Sequence, residues 1–312
     1  MNVFTALSKS VRHTLLYWFG KVAFALIPLF PRGFGLLLFG TLGDVAFLIP
    51  HREKRLTVEH LRFIFGQAWP EKKIRSTARR VYRSLGKNTF DAIKLRSLAD
   101  NAFNRIVFHD DLTEFRTAVN EGRGVFVITA HLGCFEMQLQ FVARHGMPCF
   151  AIGRKMFDPR IENLVRTLRS GPGIEYLNRD DSSRGVIRLL KQGKVFGVLI
   201  DQDIKAEGIF GTFLGTRAFT ASGPMKAAMR MRVPVFVFTT ARRADDSHYI
   251  SISRRLTLAD TGDFENDLKQ NVQAANDLIS AAIMQSPEQW VWMHRRWRQT
   301  ELPQWQVRIT HE

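Results

Sequence analysis

The feature that most limits the fold of this chain is a set of short, unbroken apolar runs, each bounded by glycine or turn residues. Val125-Phe126-Val127-Ile128-Thr129 follows Gly124 and is too short for a helix of ordinary length, so it reads as a buried strand. Cys149-Phe150-Ala151-Ile152, Lys194–Ile200 and Val235–Thr240 repeat the pattern, and Tyr249–Ser253 alternates as a half-exposed strand does. Helical spacing fills the intervals: Phe135–His145, Pro159–Arg169, Ser182–Gln192, Ser222–Met231 and Phe264–Met284, with glycine stops at Gly146, Gly171 and Gly193. Strands alternating with helices predict an α/β domain with a largely parallel central sheet flanked by helices.

The first fifty residues differ in character. Leu15–Leu29 is apolar except for Lys21, and Gly33–Ile49 is apolar except for Asp44, with Pro28 and Pro31 between them. Neither run reaches the roughly 20 apolar residues of a clean membrane span, and no small-residue cleavage site follows. Residues 1–50 are therefore expected to be a helical membrane anchor, either one imperfect spanning helix or an interfacial element with Tyr17 and Trp18 at the headgroup boundary. Residues 51–312 are expected to carry two basic helices and then the α/β domain. The first, His51–Phe65, is amphipathic, and the second follows Pro70 and carries Lys72, Lys73, Arg75, Arg79, Arg80 and Arg83.

The formal net charge is +16, which draws the chain to anionic partners: nucleic acid, acidic lipid or an acidic carrier protein. It lacks a helix-turn-helix, zinc or RNA-recognition signature, so nucleic acid is not expected. Cys134 and Cys149 match no zinc spacing and make no disulfide framework. No metal and no cofactor are expected, and no phosphate-cradling glycine loop is present.

Activating a hydroxyl needs a base within reach of it and a group that holds the base in one tautomer. His131-Leu132-Gly133-Cys134-Phe135-Glu136 offers an imidazole and a carboxylate with four residues between them. Nine histidines among 29 acidic residues make one such match expected by chance, and His109 with Glu114 is a second. Context separates them. His131 directly follows an apolar strand, where α/β sheets place their ligand sites, and Gly133 permits the turn into the next helix. His109 stands in the charged stretch His109-Asp110-Asp111 with no glycine turn and reads as a surface residue. On one continuous helix residues five apart lie about 140° apart; across a strand–turn–helix corner they can converge. Cys134 as a nucleophile has nothing nearby in sequence to lower its pKa.

The block resembles the His-x4-Asp/Glu motif of the bacterial lipid A biosynthesis acyltransferases, the lauroyl and myristoyl transferases, within the wider glycerolipid acyltransferase-like group. Further blocks follow in order: Gly153-Arg154 with Asp158-Pro159, then Asp201-Gln202-Asp203 with Gly208-Ile209-Phe210 and Phe213-Leu214-Gly215. Thr220-Ala221-Ser222-Gly223-Pro224 and Trp292-Met293-His294-Arg295-Arg296-Trp297 complete a resemblance over about residues 12 to 298. Phe135 departs from the tryptophan of many members, and Phe210-Gly211-Thr212-Phe213 from a stretch that often holds proline.

The resemblance implies an enzyme of the inner membrane, its catalytic domain on the cytoplasmic face. It would move a fatty acyl chain from an acyl carrier protein thioester to a hydroxyl of an anionic lipid A precursor. His131 is then the general base and Glu136 its orienting partner. Arg154 is expected on the oxyanion or on an acceptor phosphate. Asp201 and Asp203 either orient the acceptor or cap a turn. Arg179 and the group Arg295, Arg296 and Arg298 either bind phosphate or are solvated, and Trp290, Trp292 and Trp297 pack a core edge. A lysophospholipid or glycolipid acyltransferase using acyl-coenzyme A is the nearest alternative, and a basic nucleic-acid-binding protein or a non-catalytic membrane scaffold the alternatives of another class.

Overall fold

The computed structural model describes residues 3–299 except 154, 155, 157 and 179–181. The chain opens with α1 (Val3–Leu26), α2 (Arg32–Leu48), α3 (Arg52–Phe65), α4 (Glu71–Lys94) and the short α5 (Asp100–Asn104). Alternation then begins with β1 (Val107–His109), α6 (Thr113–Asn120), β2 (Val125–Thr129), α7 (Met137–Arg144), β3 (Cys149–Gly153), α8 (Pro159–Arg169), β4 (Ile174–Asn178), α9 (Ser182–Lys191) and β5 (Val195–Leu199). A hairpin of β6 (Gly208–Phe213) and β7 (Thr216–Ala221) interrupts it before α10 (Gly223–Met231), β8 (Val235–Arg242), β9 (His248–Ile252) and α11 (Phe264–Gln285). Local chemistry sets several boundaries. Asp158 accepts a hydrogen bond from the Arg160 N–H at 2.9 Å ahead of Pro159 in the first turn of α8, and Asp263 caps α11 through Asn266.

The main sheet has the order β1-β9-β8-β2-β5-β3-β4. The strands from β8 to β4 are mutually parallel, β9 runs antiparallel to β8, and β1 is parallel to β9. The predicted largely parallel sheet flanked by helices is the observed one. β2 shows why its run is apolar throughout: Phe126 and Ile128 enter one hydrophobic core, Val125 and Val127 the other, on opposite faces. The strands absent from the sequence reading are those with weak local signals. β1 is three residues long, β4 is an edge strand containing Glu175 and Asn178, and β6–β7 is rich in glycine and threonine.

The N-terminal apolar segment is a pair of helices rather than one span. No single helix among the described residues is long and apolar enough to cross a membrane; α2 and α3 pass that test only as a pair, bent by 88°. One side of α2 packs on α4 so closely that side chains are excluded. A Cβ on Gly43 would lie 2.2 Å from the Tyr82 carbonyl oxygen, and one on Gly86 2.0 Å from that of Phe39. Asp44, the lone charge of its apolar run, accepts from Arg79 and Arg83 of α4 at 2.9 Å each. Apolar side chains along the N-terminal segment stay exposed: Leu15, Trp18 and Leu37 are 66%, 53% and 61% exposed, and Phe19, Leu29 and Leu48 are exposed as well.

A buried carboxylate fastens this layer to the sheet. Asp91 of α4, fully buried, accepts from Arg32 at 2.8 and 2.9 Å, from Arg242 at 2.7 Å and from His248 Nε2 at 2.8 Å. Burial alone would raise its pKa; His248 and the two arginines outweigh burial and hold it well below the ordinary carboxylate range. Removing one member of such a cluster leaves buried charge uncompensated. Asp91→Ala is therefore expected to lower unfolding free energy by about 3–5 kcal/mol, measured by denaturant titration in detergent.

Candidate active site

Two strand ends assemble the site. β2 and β5 are neighbours, with Thr129 in register with Leu199. His131 and Asp201 each lie two residues beyond these partners, so the same register sets them side by side past the carboxyl edge of the sheet. His131 Nδ1 is 2.8 Å from Asp201 Oδ1, and the His131 backbone N–H donates to Asp201 Oδ2 at 2.8 Å. Trp290 Nε1 donates to the same Oδ2 at 2.8 Å. Asp201 is fully buried. Burial pushes its carboxyl up, but the His131 ring, the Trp290 N–H and the His131 backbone N–H outweigh it and keep the group ionised, far below the usual range. An ionised carboxylate facing Nδ1 requires a hydrogen there, which leaves the Nε2 lone pair for chemistry.

The corner after β2 is built as its sequence suggests. Gly133 has φ +57°, and a Cβ there would meet the Thr240 carbonyl oxygen at 2.3 Å. The turn is also clamped from the C-terminal segment: Leu132 and Trp290 form a β-bridge, and Gly133 N–H donates to the Gln289 carbonyl at 3.0 Å.

Glu136 lies at the start of α7, but it does not hold the His131 ring. Its carboxylate receives Arg169 Nε at 3.0 and 3.1 Å and Nη2 at 2.5 Å. The expected dyad is thus corrected: within the structure Asp201 occupies the orienting position on Nδ1, because strand register delivers it there, while Glu136, just ahead of α7, turns its carboxylate to α8. Burial pulls the Arg169 pKa down, and Glu136 together with Tyr176 more than restores it. His131, Glu136 and Arg169 all line one cavity of about 300 Å³ that runs between α7 and the sheet. Its lining also includes the apolar Leu139, Val142, Val195, Gly197 and Phe238, with Thr129, Gln138, Tyr176 and Gln202 among them.

Other sequence assignments fall differently. Asp203 accepts from Arg298 at 3.1 Å, from Gln299 Nε2 at 2.6 Å and from the Gln299 backbone N–H at 2.8 Å. It fastens the C-terminal segment rather than facing the cavity. Arg296 is neither solvated nor free for phosphate; it is fully buried and bonds the Phe219 carbonyl and Thr220 Oγ1. Trp290, Trp292 and Trp297 are fully buried, in keeping with a packing role, with Trp290 also serving Asp201. Arg154 and Arg179 lie outside the described residues. Cys134 is buried, and desolvation pushes its thiol up, so it is no nucleophile. His109 does end a strand, contrary to its reading as a plain surface residue. That strand, β1, runs against β2, so His109 emerges at the opposite edge of the sheet, packed on Phe141 and His145. Its spacing partner Glu114 accepts from the Arg255 N–H.

Two residues that sequence reasoning did not single out complete the site. Gln202 Nε2 is 3.0 Å from His131 Nε2 and 2.9 Å from His294 Nε2. The His131 and His294 rings are 4.7 Å apart, edge to face. Burial, with the neighbouring His131, pulls the His294 pKa down to about 4, so its ring is neutral near pH 7. Their signal was present in position only: Gln202 adjoins Asp201 at a strand end, and His294 lies in the tryptophan-rich segment that packs over it.

Comparison with known proteins agrees with this architecture. The pattern of the bacterial lipid A biosynthesis acyltransferases matches residues 5–299. A lipid A biosynthesis palmitoleoyltransferase of Escherichia coli (strain K12) is 24% identical over 285 residues, 91% of each chain. A lipid A biosynthesis lauroyltransferase of the same organism is 23% identical over 262 residues, 82% of this chain and 83% of the relative. A lipid A biosynthesis acyltransferase of Haemophilus influenzae is 23% identical over 184 residues, 58% of this chain and 56% of the relative. With a match across nearly its whole length, and with a His131–Asp201 pair whose imidazole lines a cavity, the chain belongs to the bacterial lipid A biosynthesis acyltransferase family.

Proposed function

We propose that this acyltransferase moves a fatty acyl group from an acyl carrier protein thioester to a hydroxyl of a lipid A precursor, with His131 as base and Asp201 as its orienting partner. The observation that carries the reading is the 2.8 Å His131–Asp201 contact, with the His131 ring lining the cavity. The acceptor oxygen gives its proton to His131 Nε2 and bonds to the thioester carbonyl carbon. The resulting oxyanion collapses, the carbon–sulfur bond breaks, and the imidazolium returns the proton to the leaving thiolate. Asp201 stabilises the imidazolium between these steps without itself being protonated. Arg154 is proposed as a donor to the oxyanion or to an acceptor phosphate, and Arg179 as a phosphate ligand. Glu136 acts by fixing Arg169 beside the cavity. The acyl tail occupies the apolar depth of that cavity.

Location follows from surface chemistry. Leu15, Trp18, Phe19 and Leu37 of the N-terminal helices are exposed and apolar, and α3 and α4 carry the basic residues that anionic headgroups attract. We place the enzyme at the cytoplasmic face of the inner membrane by these side chains. The +16 charge suits an acidic carrier as well as an acidic membrane.

Transfer is tested with purified protein, a lipid A precursor, and acyl groups on either acyl carrier protein or coenzyme A. Faster turnover with coenzyme A would replace the proposed donor. His131→Ala is expected to lower kcat about 1000-fold or more, and Asp201→Asn about 100- to 10,000-fold with the acceptor KM nearly unchanged, since it acts through the tautomer. Glu136→Gln should act through the freed Arg169, so Glu136→Gln with Arg169→Gln should be no worse than the worse single variant. Full activity in Asp201→Asn would remove the mechanism.

Gly197 lines the cavity, and a Cβ there would already lie 3.1 Å from Leu139 Cδ2. Gly197→Val should therefore shift preference to shorter acyl chains, each excluded methylene forfeiting about 0.8 kcal/mol of burial. Competing thioesters of different length, with products read by mass spectrometry, measure it. For the membrane face, Leu15→Glu with Leu37→Glu should at least halve the fraction that floats with anionic phospholipid vesicles, because two apolar insertions worth about 1.5–3 kcal/mol each are lost.

A further inference from the structure

One polar side chain in the cavity wall is only half served by the protein. Gln138, the second residue of α7, is 5% exposed and lines the cavity together with His131. Its Nε2 donates to Thr240 Oγ1 at 2.7 Å, and no donor meets its Oε1 among the described residues. That oxygen is not sealed within the packing, so the cavity is the space it faces. Thr129 lines the same cavity, and its Oγ1 is buried without a hydrogen-bond partner. Buried polar groups are paired as a rule, and each exception calls for a reason. Gln138 stands at the His131 end of the cavity. Its partner Thr240 backs the Gly133 turn, and Val142 follows one helical turn further along α7. The register of β2 on β5 sets Val195, which also lines the cavity, four residues and about 13 Å from Leu199. A chain with its carbonyl carbon at His131 and its tail toward Val195 therefore passes Gln138 within its first few carbons.

We propose that Gln138 reads a hydroxyl near the carboxyl end of the acyl chain, so that the donor this enzyme favours is a hydroxyacyl thioester. The proposal rests on the acyl-transfer reading above and names the substrate class of the same cavity. Solvent serves a cavity-facing amide oxygen until a tail displaces it. A plain methylene chain brings no donor in exchange, and the oxygen is then buried unpaired, at a penalty comparable to a whole hydrogen bond. A chain hydroxyl donates its hydrogen to Gln138 Oε1 and restores the pairing. Turning the amide round does not remove the choice. Thr240 would then donate to Oε1, the NH2 group would face the chain, and the hydroxyl would accept; a hydroxyl pairs in both settings and a methylene in neither. The bond to Thr240, itself fully buried, keeps the amide from swinging away. A wall that pairs a substrate hydroxyl discriminates against its absence more strongly than an apolar wall discriminates by one methylene. The chain hydroxyl takes no part in the bonds made and broken during transfer.

The test uses the full chain in detergent with a lipid A precursor. Lauroyl, 2-hydroxylauroyl and 3-hydroxylauroyl thioesters compete on whichever carrier supports turnover, and products are read by mass spectrometry. At least one hydroxylated chain should exceed lauroyl in kcat/KM by about tenfold or more, one hydrogen bond's worth. Gln138→Leu should raise kcat/KM for lauroyl and lower it for that hydroxylated chain, bringing their ratio to about one. Gln138→Met, which keeps the length of the side chain, should do the same and serves if the first variant fails to fold. A loss of packing alone would slow all chains together and leave the ratio where it was. A wild-type ratio of one or below for both hydroxylated chains would overturn the proposal, as would a preference that survives in both Gln138 variants. Thermal shifts with free laurate and the free hydroxylaurates give a readout without turnover. Relative to laurate, the hydroxylated acid should protect the wild-type chain more than it protects Gln138→Leu. If it does so while no acyl group is transferred, the hydroxyl-reading cavity stands and the acyl-transfer reading fails.

Discussion

The alignment of β2 with β5 is the constraint on which the site depends. Parallel pairing of Thr129 with Leu199 makes His131 and Asp201 neighbours by geometry alone. A slip of one residue would turn each side chain to the other face of the sheet. The pairing is held by apolar side chains on both faces, so hydrophobic burial, which is non-directional, is converted through strand register into a 2.8 Å contact between two polar groups. The desolvation of Asp201 is large and unfavourable by itself. It is offset because both carboxylate oxygens receive donors, from the His131 ring, the His131 backbone and the Trp290 indole.

Around this contact the chain uses its distant ends as braces. The segment after α11 returns to the β2 corner, bridges Leu132 with Trp290 and delivers His294 to Gln202. Asp203, two residues beyond Asp201, fastens that same segment through Arg298 and Gln299. On the opposite flank Asp91 binds the start of α2 to the end of β8 and the start of β9. The apolar N-terminal layer and the sheet edge that carries His131 are therefore both fastened by buried polar clamps.

Within the site two carboxylates hold two different cations or incipient cations. Asp201 faces an imidazole and is fully buried, while Glu136 faces a guanidinium beside an accessible cavity. Each is satisfied by its own partner, so neither competes for the other. That separation lets one carboxylate govern a tautomer and the other govern the position of a positive charge.

The residues alone determined a good deal. Apolar runs of strand length with glycine stops specified the α/β class and most helices, since burial periodicity is a local property. His131 was legible because it follows such a run, and Gly133 because the turn demands positive φ. The spacing of Glu136 was legible too, but not its partner, since five residues across a corner leave the direction of a side chain open. Tertiary structure decided that Asp201 meets His131, that Glu136 meets Arg169, and that Gln202 and His294 converge on the base. These contacts join positions 33 to 92 residues apart. Only strand register and the return of the C-terminal segment bring them together, and neither is encoded in any local stretch of sequence.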